Sequence, residues 1–201
     1  MIYNKIYKTN NVWGNKPNKL LQSIWSYYNP KNIELEFLDL GCGQGRDSLF
    51  MLQKGFKVTA IDNSFKGIEN LRETIKTKKL PKNNITLLCS DMKDFKIEKG
   101  KYAIISAFTS LQFLSRKDGL QLIERIKKNI LPRGFIIVSG FTIDDPGHKD
   151  SGYYFKPQEL RKLFVDFDII FYREKEILDK GHISNPKPHK HSIVEMIARK
   201  N

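Results

Sequence analysis

The stretch LEFLDLGCGQGRDSLF, residues 35–50, constrains the fold more than any other part of the chain. An apolar run ends in Asp39 and opens onto glycines at 41, 43 and 45, and a helix-like apolar pattern follows from Ser48. A strand that is apolar without alternation is one covered on both faces, as in a parallel sheet. Glycines at its end take positive φ and let a ligand approach the backbone without Cβ atoms in the way. The stretch therefore reads as strand, binding loop and helix.

The same unit repeats. The first helix, 48–54, stops at Gly55, a residue suited to the left-handed position after a helix. FKVTAID (56–62) is a second strand. Phe65, Ile68, Leu71 and Ile75 follow helical spacing and predict an amphipathic helix over 64–78. ITLLCSD (85–91) and YAIISAF (102–108) are further strands. A helix marked by Leu120, Ile123, Ile126 and Ile130 stops at Pro132 and Gly134, and FIIVSGF (135–141) is a fifth strand. A short helix is expected from Pro157, placed at its first position, to Phe164. FDIIFYREKEIL (167–178) and HSIVEMIARK (191–200) have no helix between them, so they should pair as a hairpin at one edge of the sheet. This pattern makes residues 1–201 one α/β domain with a mostly parallel sheet and helices on both faces, preceded by an N-terminal lid or helix segment over 1–33.

The net charge is +13, which raises nucleic-acid binding. Yet 27 of the 35 basic residues are lysines spread along the chain, and only 8 are arginines. Bidentate phosphate clamps favour arginine. The charge is read as composition, compatible with attraction of small anions. Cys42 and Cys89 show no partner pattern, no apolar run reaches a membrane span, and the opening MIYNKIYKTNN has no signal-type apolar core. A cytoplasmic home and no membrane partner are expected.

Three ligands compete for the glycine loop. A phosphate-binding Walker loop needs lysine and a hydroxyl after its second glycine, and here Arg46 and Asp47 follow. A dinucleotide fingerprint needs its third glycine five positions after the first, whereas here the spacing is 41, 43, 45. The remaining pattern is an acid followed by three alternating glycines at the end of a first strand.

DLGCGQG (39–45) resembles motif I of class I S-adenosylmethionine-dependent methyltransferases. The tail HSIVEMIARK with its preceding His-x-His, and VWGNKP near the N-terminus, resemble the TehB-type small-molecule methyltransferases. The resemblance implies a Rossmann-like sheet of order 3-2-1-4-5-7-6 with strand 7 antiparallel. It implies S-adenosyl-L-methionine as cofactor, held by Asp39, Gly41, Gly43, Gly45 and Arg46, by Asp62 and Asn63 after the second strand, and by Asp91 and Met92 after the third. Asp62 would accept the ribose hydroxyls; its plain alternative is a helix N-terminal acid. Asp91 would meet the adenine amine and Met92 its ring; the alternative is a turn acid and a core methionine. Ala107, with Ser106 and Phe108, would lie by the methyl group, and Trp13 would fold over the ligand or anchor an N-terminal helix. Arg46 would meet a ligand carboxylate or stand in solvent.

Transfer from a sulfonium is an in-line displacement, and alignment and exclusion of water are what a protein supplies. The acceptor side is expected at His182, His189 and His191, as a base or a positive rim, beside the loop 142–150 with Tyr153 and Tyr154. No cysteine or carboxylate completes the histidines at a typical ligand spacing, so no metal site is expected. The expected function is methyl transfer to a small molecule such as a thiol or metalloid anion. The alternatives are a methyltransferase acting on RNA or protein, and an NAD-binding or non-catalytic protein of the same sheet type. Against the first stands SAFTSLQF after the fourth strand, where N-methyltransferases of adenine and glutamine carry Asn/Asp-Pro-Pro-aromatic.

Overall fold

The computed structural model describes residues 2–8, 12, 14–28, 35–181 and 185–201. Seven strands form one sheet: β1 Glu36–Leu40, β2 Lys57–Asp62, β3 Ile85–Cys89, β4 Ile104–Phe108, β5 Phe135–Phe141, β6 Asp168–Asp179 and β7 His189–Arg199. Their order is β3-β2-β1-β4-β5-β7-β6. The first five are parallel, and β7 runs antiparallel to both β5 and β6. The order reverses beside β1, which pairs β2 on one side and β4 on the other. That reversal is where an open parallel sheet leaves a crevice at the carboxyl ends of its strands.

The helices are α1 Ile2–Ile6, α2 Lys19–Ser23, α3 Arg46–Gln53, α4 Phe65–Thr77, α5 Arg116–Asn129 and α6 Glu159–Leu163. The sheet separates two apolar clusters. Leu38, Leu40, Ile105, Ile136 and Val138 pack with Leu122, Ile123 and Ile126 of α5. Phe37, Ile104, Phe135 and Ile137 pack with Met51 and Leu52 of α3 and Leu21 of α2. Both faces being covered is why the strand sequences do not alternate.

Local signals place the helix ends. Gly55 follows α3 with φ 88°; its N–H donates to Leu52 O and the N–H of Phe56 to Met51 O, a Schellman arrangement. Ser64 caps α4 by accepting from the N–H of Gly67, and Ser115 caps α5 by accepting from Asp118. Two expectations need correction. Helix α3 starts at Arg46, two residues ahead of Ser48, because Gly45 at φ 80° already turns the chain. Helix α6 starts at Glu159 behind Gln158 at φ 58°, so Pro157 is not its first residue. Glu159 takes the N–H of Lys156 and pairs with Arg116, which sets the start of the helix later.

Candidate functional site

A cavity of about 1040 Å³ opens at the carboxyl ends of β1, β2 and β4. Its floor is the glycine loop. Gly41 and Cys42 both donate N–H to Ile61 O, and Gly43 donates to Asp62 Oδ2 at 2.8 Å. All three loop glycines have positive φ (79°, 57° and 80°). Each is also a close approach: a Cβ at Gly41 would lie 2.4 Å from Ser110 Cβ, at Gly43 2.8 Å from Tyr7 Oη, and at Gly45 2.3 Å from Leu71 Cδ1.

Asp62 lines this cavity and holds a fixed orientation, with Oδ2 on Gly43 and Oδ1 accepting the Ser64 N–H at 2.8 Å. Burial raises its pKa, and the two N–H bonds oppose that rise. A carboxylate has about four acceptor sites, so two remain for a ligand. Asp39 is buried and spends one oxygen each on Ser48 Oγ (2.6 Å) and Ser106 Oγ (3.0 Å). Burial, and then the charge of Asp47, push its pKa to about 7. Asp39 thus locks α3 and the end of β4 to the base of the loop.

Asn63, Asp91 and Met92 also line the cavity, Asp91 on a turn where it accepts the Lys93 N–H at 3.0 Å. One expected cofactor residue is placed differently, and a second carries an ion pair. Ala107 is buried in the core and is absent from the cavity wall, where Phe108, Thr109 and Ser110 stand instead. Neighbouring strand residues point to opposite faces, and Ala107 has the parity of the α5 side. Arg46 reaches the wall, but its guanidinium pairs with Asp47 Oδ2 at 2.7 Å. Asp47 in turn takes the N–H of Asn18 through Oδ1 at 2.6 Å, fastening α2 to α3. Trp13 and His182 lie outside the described residues.

Other wall residues were missed by sequence reasoning. Tyr3 comes from α1 and Tyr7 from the turn just after it, and the helix's Asn4 Oδ1 accepts from Ser64 Oγ at 2.7 Å. The Tyr3 ring meets Phe113 edge-on at 5.1 Å. Burial, and then the charge of Asp62, push the Tyr3 phenol up to about 12. An i, i+4 pair of tyrosines was the available cue.

At β7, His189 and His191 do share one side and both line the cavity, with their Nε2 atoms 3.0 Å apart. His191 Nδ1 lies 2.9 Å from Oδ2 of the buried Asp145, and its ring stacks on Phe141 at 4.7 Å. The hairpin register sets Asp179 of β6 directly across from His189. Of the expected rim, Asp145 and Tyr154 line the cavity, while Tyr153 is core and packs against Gly119.

Sheet order, antiparallel seventh strand and glycine loop at the switch point together define the fold of class I methyltransferases. The chain belongs to the TehB family: its residues 31–185 match the family described as "Tellurite resistance protein TehB". Its relatives include "Hemagglutinin 1" of Eikenella corrodens, 29% identical over 81% of this chain and 54% of that protein. Another is the "Probable S-adenosyl-L-methionine-dependent methyltransferase TehB" of Haemophilus influenzae, 31% identical over 68% of this chain and 47% of that protein. The chain thus spans about half the length of the curated relatives it matches. The crystal structure of TehB from Haemophilus influenzae superposes with a TM-score of 0.80 at 24% identity, over 99% of this chain and 66% of that one. No helix among the described residues is long and apolar enough to cross a membrane.

Proposed function

We propose that this chain binds S-adenosyl-L-methionine over the glycine loop and transfers its methyl group to a small-molecule acceptor. The observation that carries the reading is the Gly43–Asp62 hydrogen bond, which couples the loop to a carboxylate at the cavity floor. Glycines whose Cβ atoms would collide with Ser110, Tyr7 and Leu71 hold the loop in one shape, with bare backbone at the cavity floor. Asp62 offers its two remaining acceptor sites to vicinal hydroxyls, and Asp91 with Met92 offers an acceptor beside an apolar contact, as an aminopurine requires. The bound cofactor supplies an electrophilic methyl on a sulfonium.

The chain's own part is positioning. Helix α1 and the turn that follows it, with Tyr3 and Tyr7 on the cavity, act as a lid that keeps water from the reacting centre. His189 and His191, with Asp145 and Tyr154, form the acceptor end of the same cavity. A cavity of this volume has room for the cofactor and a small acceptor side by side.

The test is turnover. Purified chain is incubated with methyl-labelled S-adenosyl-L-methionine and, separately, thiols, reduced metalloid anions and RNA. Label transferred to a small acceptor, with equimolar S-adenosylhomocysteine released, is the expected result. Transfer to RNA alone would overturn the small-molecule reading.

A further inference from the structure

Three side chains at the hairpin end form a cluster that the cofactor reading does not use. His189 Nδ1 lies 2.8 Å from the carbonyl oxygen of Lys187, and His191 Nδ1 lies 2.9 Å from Asp145 Oδ2. A carbonyl oxygen only accepts, so His189 Nδ1 carries hydrogen and donates it. Asp145 Oδ2 already accepts the Ser192 N–H, and Oδ1 accepts the Gly147 N–H. With both oxygens already accepting, this carboxylate takes a further hydrogen from His191 Nδ1, which gives His191 the same tautomer. Each ring then presents its Nε2 lone pair, and the two Nε2 atoms face each other at 3.0 Å. Lone pairs at that distance repel unless a cation stands between them, either a proton or a metal ion.

The third group decides which. Asp179, cross-strand partner of His189, brings a carboxylate oxygen so that it and the two imidazole nitrogens all lie within 4.8 Å of one another. One Asp179 oxygen accepts the Gly181 N–H at 2.7 Å, which holds the carboxylate in place. A shared proton needs only two partners, whereas converging nitrogen, nitrogen and oxygen donors are a metal's requirement. Around a tetrahedral zinc with Zn–N of about 2.0 Å, two nitrogens stand roughly 3.3 Å apart, close to the separation here.

We propose that Asp179, His189 and His191 bind a divalent transition-metal ion, zinc being the ion this two-histidine, one-carboxylate set suits. Asp145 is then the outer carboxylate that orients His191, as metal-bound histidines require. Sites with three protein ligands are those that keep a coordination position for water or substrate. Since the cluster lines the cavity, the ion would anchor a thiolate or oxyanion acceptor; that use rests on the methyl-transfer reading, while ion binding does not.

The experiment is calorimetric titration of chelator-treated, dialysed full chain with zinc chloride, without cofactor. Wild type is compared with His189→Ala, His191→Ala, Asp179→Asn and Asp145→Asn, each checked by circular dichroism for folding. One zinc per chain is expected, with affinity reduced at least about tenfold in the three ligand variants and about tenfold in Asp145→Asn. Cobalt(II) should give the visible absorption of a tetrahedral site in wild type only. If a histidine variant fails to fold, Asp179→Asn on the half-buried strand end decides alone. No stoichiometric zinc, or zinc bound equally by the ligand variants, would overturn the proposal and leave a shared proton as the cation. Because no cofactor is present, this result is independent of whether S-adenosyl-L-methionine binds.

Discussion

The backbone N–H of Gly43 donates to Asp62 Oδ2 at 2.8 Å, and this bond joins the loop after β1 to the end of β2. It makes the conformation of the loop and the orientation of the acid one variable. The same glycine faces Tyr7 just after α1, so a single residue touches floor, acid and N-terminal segment.

Gly43→Ala should therefore be costly for two separable reasons. Its φ of 57° disfavours any Cβ by about 1–2 kcal/mol. The new Cβ would also sit 2.8 Å from Tyr7 Oη. In urea denaturation the variant should lose about 2 kcal/mol or more. Adding Tyr7→Phe should recover part of the steric share; strict additivity of the two changes would count against the contact.

Asp39 should shape the pH dependence of stability. Its pKa rises from 3.8 to about 7 on folding, so between those values the folded state binds more protons than the unfolded one. Stability then falls as pH rises through that window and levels off above it. Asp39→Asn should flatten this slope in denaturant midpoints measured from pH 4.5 to 8. Parallel curves for the two proteins would refute the assignment.

Asp47 should matter more than its partner Arg46. It is buried, and it accepts the Asn18 N–H at 2.6 Å while pairing with Arg46. Asp47→Ala leaves a donor without its acceptor and should cost about 1–3 kcal/mol. Arg46→Ala removes a partly exposed ion pair and should cost under about 1 kcal/mol. Equal losses in thermal or urea unfolding would contradict this ranking.

Lys79 offers a gain. It follows α4 at φ 52°, donating its N–H to Lys76 O while the N–H of Leu80 reaches Ile75 O. That is a glycine position held by lysine. Lys79→Gly should relieve about 1–2 kcal/mol of strain, less about 0.4–1 kcal/mol for the freer unfolded chain. A raised melting temperature is expected, and a lowered one would refute the strain.

Much of this was legible before any coordinates. Mostly apolar, non-alternating runs at 35–40, 56–62 and 135–141 announced parallel strands, and DLGCGQG placed the binding loop on the first of them. Where both faces of a strand are buried, however, apolar content no longer reveals which residue points where. That is why Ala107 was expected on the cavity and Phe108 stands there. Tyr3 sits on a helix of five residues, too short for a periodic signal, and Tyr7 in the turn just after it. Asp179 meets His189 only through the hairpin register, and no sequence spacing encodes that. The pairing of Arg46 with Asp47, its own neighbour in the chain, carries no spacing signal.

The central claim is that the glycine loop and Asp62 hold S-adenosyl-L-methionine. Calorimetry with that compound and with S-adenosylhomocysteine, on wild type, Asp62→Ala and Asp62→Asn, tests it most directly. The account predicts stoichiometric binding in wild type and an affinity loss of at least about 10- to 100-fold in Asp62→Ala, the worth of one hydrogen bond to a charged group. Absence of binding by the folded wild type, or binding indifferent to both substitutions, would contradict it.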